Sequence, residues 1–282
     1  MTELLKGAPV AAEIDARTVE LISSSAVTPC LAVLRIGERP DDLSYERSAI
    51  KKAAKVGIAL KSVVLPSSAS QRELMEAIKA LNCDDSVHGI LMFRPLPGGF
   101  DEDEAVMTLS PAKDVDGITP GSMARVYSGS GEGFPPCTAQ SVIEILDYYG
   151  IETKGRSVAV IGRSLVIGRP VSMLLMQRDA TVTICHTKTS DVSGISRRSD
   201  IVIAAAGRPE SVDGEYLSAG QVVIDVGINW SESKGRIVGD VDPETAERAG
   251  VRALAPVPGG VGAVTTSVLM DHTARAALEA KA

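Results

Sequence analysis

Short apolar runs alternate along the chain with segments whose apolar residues recur every three or four positions. Leu31 to Ile36, Leu60 to Leu65 and Val87 to Met92 are of strand length, and helical periods follow them over 44–56, 70–81 and 101–109. This rhythm predicts βαβ units and a parallel sheet. It breaks between Gly117 and Pro136, a stretch rich in Gly, Ser and Pro, which predicts a crossing between domains. A helical pattern opens at Thr138 and runs through Tyr149. A second alternation then follows, with strands predicted at Ser157 to Ile161, Ala180 to Ile184, Ile201 to Ala205, Val222 to Val226 and Ala253 to Val257. Thr265 or Thr266 caps a final predicted helix through Leu278, whose alanines favour that conformation.

Composition narrows the function classes. At roughly 150 residues per domain, 282 residues make one large domain or two ordinary ones, and 44% hydrophobic content supplies the cores. A net charge of -7 is the wrong sign for a general nucleic-acid binder, and 3% aromatic residues leave little for base stacking. No run approaches the roughly 18 apolar residues of a membrane span, so a soluble, cytoplasmic protein is expected. The cysteines, Cys30, Cys83, Cys137 and Cys185, have no paired spacing, and His88, His186 and His272 are as scattered. Reduced thiols and no bound metal are expected.

The strand at 157–161 runs directly into Gly162-Arg163-Ser164-Leu-Val-Ile-Gly168-Arg169-Pro170 and then a helical pattern. Glycines there allow a tight turn and close approach to a pyrophosphate, which then rests on the positive end of the helix. The spacing departs from the usual GxGxxG, so a plain strand-to-helix turn remains open. The end of the next strand is more informative. An NAD-selecting fold carries an acid there for the ribose hydroxyls, whereas this chain has Cys185-His186-Thr187-Lys188-Thr189. Hydroxyls and a cation suit a 2'-phosphate, and Arg163 adds a planar fork, so NADP is expected over NAD. His186 reads as a loop hydrogen-bonding residue beside that cofactor.

Five segments in order resemble the methylenetetrahydrofolate dehydrogenase/cyclohydrolases. They are Ser44-Tyr45 on a helix, Pro111-Ala-Lys-Asp-Val-Asp-Gly117, Pro136-Cys-Thr138, the Gly162 to Pro170 loop, and Pro256-Val-Pro-Gly-Gly-Val-Gly262. Asp225-Val-Gly-Ile-Asn229 and Gly239-Asp-Val-Asp242 also fit. The resemblance implies two α/β domains around a cleft, the second a Rossmann-type dinucleotide-binding domain that dimerises with its copy. It divides the chain into 1–140 plus 263–282 for the folate and 141–262 for NADP. It also implies oxidation of 5,10-methylenetetrahydrofolate and hydrolysis of the methenyl product to 10-formyltetrahydrofolate. Tyr45 would stack on the folate, Asp116 would hydrogen-bond the pterin, and Pro258, Gly259 and Gly260 would lie along the substrate. Gly162, Arg163, Ser164, Gly168, Pro170, His186, Thr187, Lys188 and Ile228 would surround the cofactor. From the residues alone, Asp116-Gly117 is equally a turn pair and Tyr45 a core residue.

The same resemblance places a hydrolytic lysine four residues after the tyrosine and a partner glutamine before Pro-Leu-Pro. This chain has Ala49 and Phe93 at those positions. Arg94, Ser122, Ala139 and Ala263-Val264 also depart from the pattern on the folate side, while the cofactor loop keeps it. The expectation is an NADP-dependent dehydrogenase with weak or absent cyclohydrolase activity. Alternatives are a bifunctional enzyme in which Lys52, Arg94 or an ordered water replaces the lysine, a non-catalytic NADP-binding paralogue, and a dehydrogenase of another pterin or amino-acid-derived substrate.

Overall fold

The computed structural model describes residues 1–280. They form two compact units, one of Met1–Ala11 and Thr138–Thr265, the other of Ala12–Cys137 and the residues from Thr266 on. In chain order the first elements are β1 (Glu3–Leu4), α1 (Gly7–Ser23), β2 (Cys30–Ile36), α2 (Pro40–Val56), β3 (Ala59–Leu65), α3 (Gln71–Cys83), β4 (Gly89–Met92), α4 (Glu102–Thr108) and α5 (Pro120–Ser128). There follow α6 (Cys137–Tyr148), β5 (Ser157–Ile161), α7 (Gly168–Met176), β6 (Thr181–Cys185), α8 (Val192–Arg197), β7 (Ile201–Ala204) and β8 (Val222–Asp225). The chain continues with β9 (Asn229–Ser231), β10 (Arg236–Val238), α9 (Pro243–Arg248), β11 (Ala253–Ala255) and α10 (Thr265–Glu279).

The smaller sheet is parallel, in the order β3-β2-β4, with β2 central. Its core joins Leu34, Ile36, Ile90 and Met92 to Leu74, Ile78 and Leu81 of α3, three α3 positions at helical spacing on one face. Ser70 caps α3 through a box with Glu73, and Pro40 opens α2, where a missing N–H costs nothing. Gly57, at φ 83°, closes α2 in the left-handed conformation that glycine reaches without strain.

The larger sheet is also parallel, in the order β1-β11-β8-β7-β5-β6. The adjacent strands β5, β7 and β8 are almost wholly apolar and buried, as a sheet covered on both faces requires. Core residues Ile161, Val202, Val223 and Leu254 pack with Val212 and Leu217 from the loop segment between β7 and β8. The antiparallel pair β9 and β10 stands apart from this sheet.

One expected boundary needs correction. Residues 1–11, assigned from the sequence to the N-terminal domain, belong to the larger-sheet unit, because β1 pairs with β11 through Glu3–Ala253 and Leu4–Leu254. Two residues are too few to show a period. The Gly117–Pro136 stretch leads directly into the change of unit between Cys137 and Thr138, and it also contains α5, opened by Thr119 and Pro120 and closed by Gly129 at φ 75°.

Candidate active site

The loop between β5 and α7 turns at Gly162, φ 133°, where a Cβ would lie 2.1 Å from the Ala205 carbonyl oxygen. At Gly168 a Cβ would meet the Gly162 oxygen at 2.3 Å. Both positions require glycine, and the backbone folds closely over the strand end as a pyrophosphate cradle demands. Beside it is a pocket of about 420 Å³ lined by Ile161, Gly162, Arg163, Ser164, His186 and Thr187 on one flank. Val192, Ala205, Ala206, Arg208, Ser211, Val212 and Tyr216 complete it. No carboxylate lines this pocket, so its polar character is cationic and hydroxylic, which fits a phosphorylated nucleotide.

Of the cofactor residues expected from the sequence, Gly162, Arg163, Ser164, His186 and Thr187 meet in that pocket, whereas Gly168, Pro170, Lys188 and Ile228 do not line it. Gly168 and Pro170 are buried at the start of α7 and shape the turn; Ile228 is exposed. The backbone N–H of Lys188 donates to His186 Nδ1 at 3.1 Å and that of His186 to Thr189 Oγ1 at 3.0 Å, closing a tight loop. His186 is thus engaged as a loop hydrogen-bonding residue.

Sequence reasoning missed Arg208, Ser211 and Tyr216. A glycine-cation pair immediately after the β7 run was the available signal for Arg208; nothing marks the other two. Also missed were the roles of Asp225 and Asp240, two buried carboxylates. Asp225 accepts from the backbone N–H groups of Gly227, Asp240 and Val241 at 2.9 to 3.0 Å. Burial, with Asp240 nearby, still raises its carboxyl to about 7.

In the other unit, Asp114 organises the turn that carries Asp116. Its carboxylate accepts from the N–H groups of Ile118 (3.0 Å) and Thr119 (2.7 Å) and from the Ser122 hydroxyl (2.6 Å). Gly117, at φ 70°, packs so tightly on Pro136 that a Cβ would lie 2.4 Å from its nitrogen. Asp116 is half-buried, and its carboxyl is raised to about 6, first by desolvation and then by Asp114, opposed by the Cys137 thiol and Arg94. Burial and the Asp116 charge push the Tyr45 hydroxyl and the Cys137 thiol up. These mutual influences make Tyr45, Asp116 and Cys137 one cluster.

The positions flanking Tyr45 are apolar or committed. Ala49 is fully buried, and the Phe93 ring meets the Tyr45 ring edge-on, with centroids 5.6 Å apart and planes at 89°. Lys52 Nζ donates to both oxygens of Asp15, at 3.1 and 2.9 Å, and to Ser267 Oγ at 3.0 Å. Arg94 Nη1 reaches Glu102 at 3.2 Å. Arg35 and Ser62 hold Glu46 from two strands.

The Pro258-Gly259-Gly260 loop follows β11 in the larger-sheet unit. Gly7 donates its N–H to the Gly259 oxygen at 2.8 Å, and a Cβ on Gly7 would lie 2.1 Å from the Gly260 oxygen. Gly259 adopts φ 100°, so the loop's glycines are explained by the turn and by close approach of α1. Among the described residues no group of three or more His, Cys, Asp or Glu side chains is arranged to hold a metal ion.

Two family models match: the tetrahydrofolate dehydrogenase/cyclohydrolase catalytic domain over residues 5–116 and the NAD(P)-binding domain of the same name over 136–281. The bifunctional protein FolD of Clostridioides difficile is 45% identical over 277 residues, covering 97% of this chain and 96% of its own. A bifunctional FolD methylenetetrahydrofolate dehydrogenase/cyclohydrolase from Campylobacter jejuni superposes with a TM-score of 0.93 at 37% identity, over 99% of both chains. The Trypanosoma brucei dehydrogenase-cyclohydrolase, solved with NADP and an inhibitor, gives 0.89 at 35% identity, covering 99% of this chain and 98% of that one.

Proposed function

The chain belongs to the tetrahydrofolate dehydrogenase/cyclohydrolase family, and from that premise we propose that it oxidises 5,10-methylenetetrahydrofolate to 5,10-methenyltetrahydrofolate with NADP, hydrolysing the product weakly or not at all. NADP, when bound, supplies the hydride acceptor. The protein's own task is to hold the substrate in line. Loss of hydride from the one-carbon bridge leaves a cation shared between two folate nitrogens, so no protein base is obligatory. Tyr45 offers a flat face to the folate, and ionised Asp116 accepts from the amino and ring N–H donors of the pterin.

Hydrolysis makes a different demand, because water attacking that cation must lose a proton. The observation carrying our reading is the neighbourhood of Tyr45: Ala49 and Phe93 stand where the family resemblance puts a lysine and a glutamine, and neither accepts a proton. Of the three substitutes considered from the sequence, both side chains are poorly suited. Lys52 is engaged by Asp15 and Ser267, and Arg94, whose guanidinium meets Glu102, offers donors and no acceptor.

The second reading is a bifunctional enzyme that also makes 10-formyltetrahydrofolate, and the names of the relatives favour it over ours. Tyr45 and Asp116 serve the substrate in either reading. A homodimer in the cytoplasm accompanies both. Among the described residues no helix is long and apolar enough to cross a membrane.

The test is reduction of NADP and of NAD by purified protein supplied with 5,10-methylenetetrahydrofolate. Folate-dependent formation of NADPH, faster than that of NADH, is expected. Cofactor binding without reduction would overturn the dehydrogenase reading in favour of a non-catalytic paralogue or a different substrate.

A further inference from the structure

The loop after β7, residues 205–208, is pinned by its backbone. Gly207 N–H donates to Asp240 Oδ2 at 3.0 Å and Arg208 N–H to Oδ1 at 2.9 Å, while Asn229 Nδ2 holds the same Oδ1 at 2.9 Å. Asp240 is completely buried, and its own N–H is tied to Asp225. A buried carboxylate with three donors fixes where the Arg208 side chain starts and leaves the guanidinium itself unspent.

Arg163 enters the same pocket from the loop after β5, and Thr187 from the loop after β6. Among the described residues neither the Arg163 nor the Arg208 guanidinium has a hydrogen-bond or ion-pair partner. Nearby acids are already committed: Asp191 accepts from Gly194 N–H and pairs with Arg198, and Glu210 pairs with Lys234. Two unpaired cations on the lining of one acid-free pocket favour an anion there.

We propose that Arg208 is the second guanidinium of a two-arginine grip on the 2'-phosphate of the cofactor, opposite Arg163, and so a determinant of the choice between phosphorylated and unphosphorylated dinucleotides. The proposal rests on the NADP reading. Arg163 brings the planar fork that the sequence shows beside the cofactor loop; Arg208 brings a second from a strand end that carries no cofactor motif.

Calorimetric titration with adenosine 2',5'-bisphosphate and with 5'-AMP tests it without turnover. The unaltered protein should bind the bisphosphate at least tenfold more tightly than 5'-AMP. Arg208→Ala should weaken the bisphosphate roughly tenfold and leave 5'-AMP unchanged, with Arg208→Lys between, since lysine keeps the charge but loses the fork. The unchanged 5'-AMP affinity also serves as the control for folding. If the unaltered protein prefers the bisphosphate and Arg208→Ala retains that preference, or weakens both ligands equally, the grip is overturned while the NADP reading stands. If the unaltered protein shows no preference, the NADP reading falls and takes the grip with it.

Discussion

The pocket of the larger-sheet unit and the Tyr45 cluster of the smaller-sheet unit treat their charges in opposite ways. Around the pocket, Arg163 and Arg208 are left without partners, while buried Asp240 is spent on the backbone. Around Tyr45, several cations are paired within the unit: Lys52 and Lys55 with Asp15, Arg35 with Glu46, Arg39 with Asp42, Arg94 with Glu102. An anionic ligand explains the first arrangement. On the proposed reading, the second leaves a site that holds a flat substrate while offering little to activate water, and the difference would separate two reactions that the family name joins.

The largest expected effect restores what the Tyr45 cluster lacks. General-base assistance is typically worth about 100- to 10,000-fold, and Ala49→Lys with Phe93→Gln should raise methenyl hydrolysis within that range. The lysine would enter a fully buried position, where desolvation lowers its pKa toward that of a useful base. Hydrolysis of supplied methenyltetrahydrofolate measures it; no gain in a folded double variant would shift responsibility to the wider folate-side substitutions.

Asp116→Ala should act next. Leaving the pterin donors unpaired costs about 1–3 kcal/mol, roughly five- to 150-fold in kcat/KM for the folate, with cofactor affinity unchanged. Steady-state kinetics paired with cofactor titration would separate the two, and an unaltered folate KM and kcat would reduce Asp116 to a turn residue. On the other side, Arg163→Ala should lower the NADP to NAD ratio of kcat/KM by about tenfold through loss of a charge-assisted contact. Equal loss with both cofactors would break the comparison at its cationic end.

Acidity sharpens the same contrast. The Asp116 carboxyl is raised to about 6, so its charged form predominates above that pH and is lost as pH falls through it. Folate KM should therefore climb below about pH 6, and a profile flat from pH 5 to 8 would contradict the role given to the carboxylate. Lys52→Ala should have the smallest effect. Asp15 keeps Lys55, so about 1 kcal/mol of stability is at stake, read as a shift in Tm, with residual hydrolysis unaltered.

Much of this was legible in the residues, unevenly. Strand β5 lies at Ser157–Ile161 as its apolar run predicts, and α3 lies within two residues of its amphipathic period. The periodicity of β and α elements survives translation into structure because burial enforces it. The two residues of β1 are too few to show a period, and in α5 the helical recurrence of Met123, Val126 and Tyr127 is short and flanked by Gly and Pro, so their places came with three-dimensional pairing and capping. Arg163 and Thr187 follow a strand-loop-helix motif and could be assigned from it. Arg208 has only the glycine-cation pair after β7 as a local signal, and the carboxylate 32 residues later in the chain that holds its backbone has none.

One measurement tests the central claim most directly: NADPH and methenyl absorbance followed together as the unaltered protein oxidises 5,10-methylenetetrahydrofolate, with supplied methenyltetrahydrofolate in a parallel cell. With Ala49 and Phe93 flanking Tyr45, methenyl compound should accumulate in step with NADPH, and added protein should barely hasten its decay in the parallel cell. Prompt, protein-dependent hydrolysis there, with 10-formyltetrahydrofolate appearing in place of the methenyl compound, would contradict the account and establish the bifunctional reading instead.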